Sequence, residues 1–260
     1  MSFRLLLICT ALLVNWAQAS QGIAPSQLAH PPAVLKVIVS ESNPAPYAYF
    51  SVDGKLSGGI SKLLIDEVGR RMAAQIDYLD VPRARIEPWV KQGKADIACF
   101  LNPDWVSEAN KFNWTAPLFY SQQLIIRRQS SSEIRAIMDL YRKRVGTNHG
   151  FRYPELDDAF SSKQIIRDDA HSLISNLQRL AQGRLDAVMT VDLTYWDVMK
   201  SHQFQEKFAA DPLWTAPSPV YCAVSPHSVH RLEILKQFND LTSEGFVLKV
   251  IKPYQQPEPR

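Results

Sequence analysis

The segment Val90-Lys-Gln-Gly-Lys-Ala-Asp-Ile-Ala98 returns ninety residues later as Leu180-Ala-Gln-Gly-Arg-Leu-Asp-Ala-Val188. Each copy follows an amphipathic helical pattern, places Gly where a helix ends in the left-handed conformation, and continues through Asp into an apolar strand. A single turn of this kind is common, and chance agreement between two ordinary helix-to-strand turns is the alternative interpretation. Because the two copies match at four identical or similar positions, they predict two related α/β lobes.

The residues before the first copy alternate between strand and helix patterns. A nearly continuous apolar run at 35–39 predicts a strand that is buried on both faces. After Gly58 and Gly59, apolar residues at helical spacing between Ile60 and Met72 predict an amphipathic helix. Further strands are predicted at 76–81 and 97–101, with a short helix at 85–92 between them. This alternation indicates βαβ units and a mainly parallel sheet.

Two later strand patterns suggest how the chain passes between the lobes. Residues 124–127 are predicted to lead from the first lobe to the second, and 221–224 to lead back. A final helix at about 229–244 is predicted to stop at Gly245. We therefore predict a discontinuous first lobe made of 34–120 and 222–260, and a second lobe made of 121–221. Two connecting strands between lobes form a natural hinge.

The N-terminus carries the pattern of a secretory signal peptide. Arg4 is followed by an apolar run at 5–14 and by Ala17-Gln-Ala19, a small-x-small cleavage pattern. The apolar run is too short to span a bilayer, which argues against a membrane anchor. We predict a signal peptide at 1–19, a leader arm at 20–33, and a periplasmic protein.

The composition is that of a globular protein, with 46% hydrophobic and 21% charged residues. The formal net charge of +3 is spread along the chain without a basic block, which argues against binding driven by nucleic-acid phosphates. Cys99 and Cys222 both lie in apolar runs, so buried free thiols are the favoured interpretation and a disulfide is the alternative.

Enzyme motifs are missing from the sequence. It contains no GxSxG elbow, HExxH, glycine-rich phosphate loop or paired cysteines for zinc. His227 and His230 lie at a spacing compatible with a metal, but no third ligand is evident nearby. We therefore expect no enzymatic activity, no metal and no cofactor.

Several motifs in their order resemble one family. They are Pro46-Tyr47, Asp53-Gly-Lys-Leu-Ser-Gly-Gly59, Gly93-Lys-Ala-Asp96, Phe112-Asn-Trp-Thr-Ala-Pro-Leu-Phe119 and Gly183-Arg-Leu-Asp-Ala187. Over about 34–254 the chain resembles the periplasmic solute-binding proteins that include the polar amino-acid receptors of ABC importers. The resemblance implies a two-lobed type II periplasmic binding protein fold with two hinge-crossing strands. It also implies a monomer that closes over a small ligand and serves an inner-membrane ABC permease or a sensor.

The sequence departs from the family at its amino-acid clamp. Glu108 stands where the receptors carry an arginine for the ligand's α-carboxylate, and Val191 stands where they carry an acidic residue, with Asp192 one position later. Two carboxylates about 4 Å apart at an effective dielectric near 20 repel by on the order of 4 kcal/mol. Standard amino acids are therefore expected to bind weakly, and the ligand is expected to be cationic, neutral-aromatic or atypical.

Candidate ligand contacts follow from the resemblance and from strand ends that face a cleft. Aromatic side chains supply stacking faces and apolar walls, the arginines suit an anionic group, and the carboxylates suit a cationic one. The candidates are Tyr47, Arg85, Phe100, Trp105, Glu108, Phe151, Arg152 and Asp192. Two alternative functions stay open: a cyclic-acid dehydratase-like enzyme with Glu108 or Asp192 as general acid, and a module that signals closure to a partner.

Overall fold

The computed structural model describes residues 33–40, 43–204 and 207–255. The predicted signal peptide and all of the predicted leader arm except Ala33 lie outside these residues. In chain order the strands are β1 (Val34–Val39), β2 (Tyr49–Phe50), β3 (Leu56–Gly58), β4 (Gln75–Asp80), β5 (Ile97–Leu101), β6 (Asn113–Trp114), β7 (Phe119–Ser121), β8 (Gln123–Arg128), β9 (Arg144–Asn148), β10 (Ile166–Ala170), β11 (Ala187–Val191), β12 (Phe208–Pro212) and β13 (Ser218–Val224). The α-helices are α1 (Ile60–Arg71), α2 (Arg83–Lys91), α3 (Asp157–Ser161), α4 (Leu173–Ala181), α5 (Asp192–Ser201), α6 (Arg231–Ser243) and α7 (Phe246–Ile251).

The strands form two main sheets with the same internal plan. The first has the order β4-β1-β5-β13-β6, with β7 also paired to β13, and the second has the order β10-β9-β11-β8-β12. In each sheet the first three strands of this order are parallel and the fourth is antiparallel to the third. This equivalence confirms the predicted two-lobed α/β fold, with one sheet in each lobe.

The repeated segment occupies equivalent places in the two sheets. Gly93 and Gly183 both take a φ of 70°, which turns the chain from α2 into β5 and from α4 into β11. Asp96 Oδ2 accepts the N–H of Lys36 at 2.9 Å, and Asp186 Oδ2 accepts the N–H of Arg144 at 2.8 Å. In both sheets the aspartate therefore binds the backbone of the neighbouring parallel strand and fixes where the new strand enters.

Two segments cross between the sheets. Gln122 joins β7 to β8, and residues 213–217 return from β12 to β13. The Gln122 side chain donates to the carbonyl oxygen of Leu213 at 3.3 Å, which ties the two crossings together. The two crossings are observed. The lobe bounds, 34–120 with 222–260 for the first and 121–221 for the second, remain a prediction.

The favoured interpretation of Cys99 and Cys222 as free thiols was wrong, and the alternative of a disulfide is correct. Cys99 and Cys222 form a disulfide between β5 and β13, where the two residues stand opposite each other in the antiparallel pairing. Their apolar surroundings were predicted correctly, since Cys222 is completely buried and Cys99 packs on the same core. The pairing depends on the register between strands that are 123 residues apart, which local sequence does not reveal.

Two features are not found among the described residues. No helix among them is long and apolar enough to cross a membrane. Within the same residues no cluster of three or more His, Cys, Asp or Glu side chains could hold a metal ion.

Candidate ligand-binding site

A cavity lies between the two sheets and takes its walls from both. The first sheet and the segments that follow its strands supply Asn43, Pro44, Tyr47, Arg83, Ile86, Cys99, Phe100, Leu101, Trp105, Ser121 and Val220. The second supplies Gln123, Asn148, Phe151, Arg152, Tyr153, Thr190, Val191 and Thr194. Because β1, β5, β9 and β11 run parallel within their sheets, the residues at and just beyond their carboxyl ends meet at this cavity.

Tyr47 is held in the cavity wall by the start of α1. The N–H groups of Ile60 and Ser61 donate to the carbonyl oxygens of Pro46 and Tyr47, both at 2.9 Å. Gly59 permits this approach, because a Cβ there would lie 2.7 Å from the Tyr47 carbonyl oxygen. Burial raises the pKa of the Tyr47 phenol far above its usual range, and the nearby Asp192 carboxylate adds to the effect. Tyr47 therefore presents a neutral hydroxyl group and an aromatic face.

Phe100 enters the cavity from a bulge in β5. The register with β13 shifts at this point, so that Cys99 faces Cys222, Leu101 faces Tyr221, and Phe100 is the extra residue. Phe100 has a φ of 61°, a left-handed conformation that costs a non-glycine residue energy and often marks a functional site. Its ring lies 4.8 Å from the Tyr47 ring, centroid to centroid. The bulge thus gives the cavity an aromatic wall.

The loop from Asn148 to Tyr153 supplies the opposite wall. Tyr153 Oη accepts the backbone N–H of Asn148 at 3.0 Å, and Arg167 Nη2 donates to the carbonyl oxygen of Phe151 at 2.8 Å. Gly150, with a φ of 78°, allows the chain to turn between them. These bonds hold Phe151 and Arg152 in place at the cavity.

Five of the eight residues proposed from the sequence line this cavity: Tyr47, Phe100, Trp105, Phe151 and Arg152. Arg85 does not, since it lies exposed on α2 and outside the lining. Glu108 also lies outside the lining, with a half-exposed side chain paired to Lys91. The hydrogen bond and charge of Lys91 lower the pKa of the Glu108 carboxyl. The expected repulsion between Glu108 and a ligand carboxylate therefore has no basis in this geometry.

Asp192 is also absent from the lining, because its carboxylate is engaged by the first crossing. It accepts the Ser121 hydroxyl at 2.7 Å, the Gln122 N–H at 3.1 Å and the Leu193 N–H at 2.8 Å. The Asp192 N–H donates in turn to the Gln122 carbonyl oxygen at 3.0 Å. Asp192 thus braces the crossing against the start of α5.

We expect Asp192→Ala to lower the free energy of unfolding by about 2–3 kcal/mol, because three part-buried donors lose their acceptor. Chemical denaturation of the variant and of the unsubstituted protein measures the difference. Asp240→Ala, which removes a partly exposed carboxylate of α6 whose ion-pair partner among the described residues is Lys236, is the control and should change the midpoint little. An unchanged midpoint for Asp192→Ala would show that the brace is not important for stability.

Arg83 is a cavity residue that the sequence did not single out. It begins α2, and its side chain is only 14% exposed. Glu87 Oε1 lies 3.8 Å from Arg83 Nη1, and burial lowers the pKa of the guanidinium. Arg85, the arginine proposed from the sequence, lies two positions further along the same helix.

Two buried polar atoms in the lining have no hydrogen-bond partner among the described residues. They are Oδ1 of Asn148 and Oγ1 of Thr194. An unpaired buried polar atom is costly, and a bound ligand is one way to satisfy it. The sequence did not predict a ligand-binding role for either residue, because Asn at the end of a strand and Thr in a helix are common in proteins of every function.

A second cavity adjoins the first and shares Arg83, Asn148 and Phe151 with it. It is also lined by Ser40, Asp80, Pro82, Ala84, His149, Gly150 and His171. The His149 and His171 rings lie 5.4 Å apart, centroid to centroid. The shared residues therefore form the boundary between an inner, mainly apolar cavity and an outer one that carries Asp80 and the two histidines.

Comparison with known proteins gives a consistent result. The sequence profile of the bacterial extracellular solute-binding proteins, family 3, matches residues 35–244. A probable amino-acid ABC transporter-binding protein from Haemophilus influenzae is 21% identical over 199 residues, which is 76% of each chain.

Solved structures show the same fold at low sequence identity. An ancestral arginine-binding protein bound to arginine is similar with a TM-score of 0.70 and 19% identity, over 86% of this chain and 99% of its own. An ancestral amino-acid-binding protein, a precursor of cyclohexadienyl dehydratase, is similar with a TM-score of 0.68 and 15% identity, over 86% and 96%.

Proposed function

The chain belongs to the bacterial extracellular solute-binding proteins of family 3, and from this we propose that it captures a small molecule between its two lobes and presents it to a membrane transporter of the ABC importer type. One observation carries the proposal: the inner cavity is lined by residues of both sheets and contains buried polar atoms that have no partner among the described residues. A ligand that contacts both walls binds the closed arrangement better than an open one, and so shifts the population toward closure.

Contacts between the two lobes support a function in which the lobes close over the ligand. A Cβ added to Gly150 would lie 3.5 Å from Cγ of Arg83, so the second-lobe loop and the start of α2 are in van der Waals reach. Elsewhere the Tyr49 hydroxyl donates to Oδ1 of Asp197 at 2.8 Å, from β2 to α5. These contacts have to break when the lobes separate, as does the packing of Leu193 of α5 in the core of the first sheet.

We propose reversible binding without chemical turnover. The carboxylates considered as general acids, Glu108 and Asp192, are engaged by Lys91 and by the first crossing. Export to the periplasm through the predicted signal peptide is part of the proposal and agrees with the disulfide, which oxidising compartments permit.

A ligand screen tests this function. Thermal unfolding is followed with a panel of amino acids, sugars, polyamines and organic acids, and at least one compound is expected to raise Tm by mass action. Mass spectrometry of the recovered compound should find it unaltered. No stabilising compound in any class, or a chemically converted one, would contradict the proposal.

Closure is measured separately with spin labels at Lys94→Cys and Arg184→Cys, the equivalent exposed positions of the two repeated segments. The stabilising compound is expected to shorten the distance between the labels. The control pair, Lys94→Cys with Lys249→Cys, is expected to keep its distance if these positions share a lobe as predicted. An unchanged distance in the Lys94 and Arg184 pair would contradict closure.

A further inference from the structure

The inner cavity carries an unbalanced charge. Two arginines line it, Arg83 beside the first sheet and Arg152 beside the second, and the described lining contains no Asp or Glu. A site for a zwitterionic amino acid needs a negative partner for the ammonium group as well as a positive one for the carboxylate. The charged side chains that line this cavity supply only the second kind of partner.

Arg83 is the stronger of the two cations. Its side chain is largely buried, it donates no hydrogen bond to any described residue, and its nearest carboxylate oxygen is 3.8 Å away on Glu87. Glu87 is itself partly engaged, because its Oε2 accepts the N–H of Ser107 at 3.1 Å. A largely buried guanidinium that donates to none of the described residues is well matched to a planar carboxylate that accepts two of its N–H groups.

Arg152 faces the same space from the other lobe. Its side chain is half exposed, and Asp157 Oδ2 lies 3.9 Å from Nη2, beyond hydrogen-bonding distance. A carboxylate held by both arginines would therefore link the two lobes. This coupling would make closure depend on the anionic group of the ligand.

The other residues that line the inner cavity indicate what the rest of the ligand looks like. Phe100, Trp105, Phe151 and Ile86 offer apolar and aromatic surfaces. Oδ1 of Asn148 accepts hydrogen bonds and needs a donor, and Oγ1 of Thr194 lacks any partner among the described residues. An uncharged hydroxyl group on the ligand supplies such a donor without adding a positive charge.

Resting on the proposed function, we infer that the ligand is a small organic acid with a carboxylate, a neutral hydroxyl donor and an apolar or aromatic body, and that Arg83 and Arg152 hold its carboxylate. A Glu108 carboxylate in the cleft would instead favour the cationic, neutral-aromatic or atypical ligand expected from the sequence. Weak binding of standard amino acids is still expected, but the reason is the missing partner for the ammonium group.

A matched set of compounds tests the ligand class by calorimetry. 3-Phenyllactate carries all three features, phenylalanine replaces its hydroxyl by an ammonium group, and 2-phenylethanol lacks the carboxylate. We expect aromatic hydroxy acids to bind, phenylalanine to bind at least about tenfold more weakly, and 2-phenylethanol to give no measurable heat. If the protein binds amino acids or cationic compounds better than every organic acid in the panel, the inference is wrong while the proposed function stands. If no small molecule binds, the proposed function itself fails.

Variants of α2 test the role of Arg83. Arg83→Ala is expected to weaken binding of the tightest organic acid by about 100-fold, with a smaller loss in Arg83→Lys, which keeps the charge but not the paired donors. Arg85→Ala is the matched control, because this exposed arginine of the same helix lies outside the cavity and should leave the affinity unchanged. The Tm of unliganded Arg83→Ala should be maintained or raised, since a poorly compensated buried charge is removed. Unchanged affinity in Arg83→Ala, or equal losses in Arg83→Ala and Arg85→Ala, would overturn the assignment.

Discussion

Replacing both Cys99 and Cys222 by alanine is expected to lower the free energy of unfolding by about 4–5 kcal/mol. The disulfide joins residues that are 123 positions apart, so it closes a loop that contains every strand of the second sheet. In the chain-entropy description, a cross-link over a loop of about 100 residues stabilises by about 4.7 kcal/mol, because it restricts the unfolded chain. Loss of the buried Cys222 sulfur from the core of the first lobe adds to the cost.

Equilibrium unfolding in guanidinium chloride measures this effect in three samples: the oxidised protein, the protein with its disulfide reduced, and the double alanine variant. The reduced protein and the variant should both unfold at lower denaturant concentration than the oxidised protein. The variant should no longer respond to reductant, which separates the effect of the bridge from general effects of the reagent. Equal midpoints in all three samples would mean that the bridge does not stabilise the fold.

Asp211→Ala is expected to destabilise the protein by about 3–5 kcal/mol, the usual cost of removing one partner from a buried ion pair. Arg127 on β8 donates through Nε to Asp211 Oδ2 on β12 at 2.8 Å, and the two side chains are only 12% and 9% exposed. The same carboxylate oxygen accepts the N–H of Ile134 at 2.9 Å. Without Asp211 the guanidinium stays buried, with the Ser131 carbonyl oxygen as its remaining acceptor among the described residues, and the Ile134 N–H loses the Asp211 carboxylate.

The buried pair is tested by chemical denaturation together with two comparison variants. Replacing both partners, with Arg127→Met and Asp211→Leu, should recover part of the lost stability, because no uncompensated charge remains. Glu133→Ala removes a partner from the exposed pair with Arg135 in the same lobe, and should have little effect. A loss for Asp211→Ala no larger than that for Glu133→Ala would show that this pair behaves as a surface ion pair.

Much of the secondary structure was determined by local sequence. The strands predicted at 35–39, 76–81, 97–101, 124–127 and 221–224 are all present, with bounds that differ by no more than three residues. The helix predicted at 229–244 begins at Arg231, and Gly245 ends it in a left-handed conformation as expected, but it is not the final helix because α7 follows. These features depend on periodic burial and on turn residues within a few positions of each other, so they can be read without knowledge of distant contacts.

The repeated segment carried the most information about the architecture. In both copies the Gly makes a left-handed turn and the Asp accepts a hydrogen bond from the neighbouring strand. The presence of two such copies in the sequence predicted the two-lobed fold. The aromatic part of the cavity also followed from the sequence, since Tyr47, Phe100 and Trp105 lie at or soon after strand ends.

Only the tertiary structure decided which charged groups meet in the cavity. Arg83 and Arg85 are two residues apart on one helix, about 200° of rotation, so the way α2 packs decides which of them faces the cavity. Glu108 forms an ion pair with Lys91, seventeen residues earlier, and Asp192 accepts the N–H of Gln122, seventy residues earlier. The disulfide likewise required the register of two strands far apart in the chain. Local sequence encodes burial and turns because these depend on neighbouring residues, whereas helix rotation, strand register and long-range pairing depend on the packing of the whole chain.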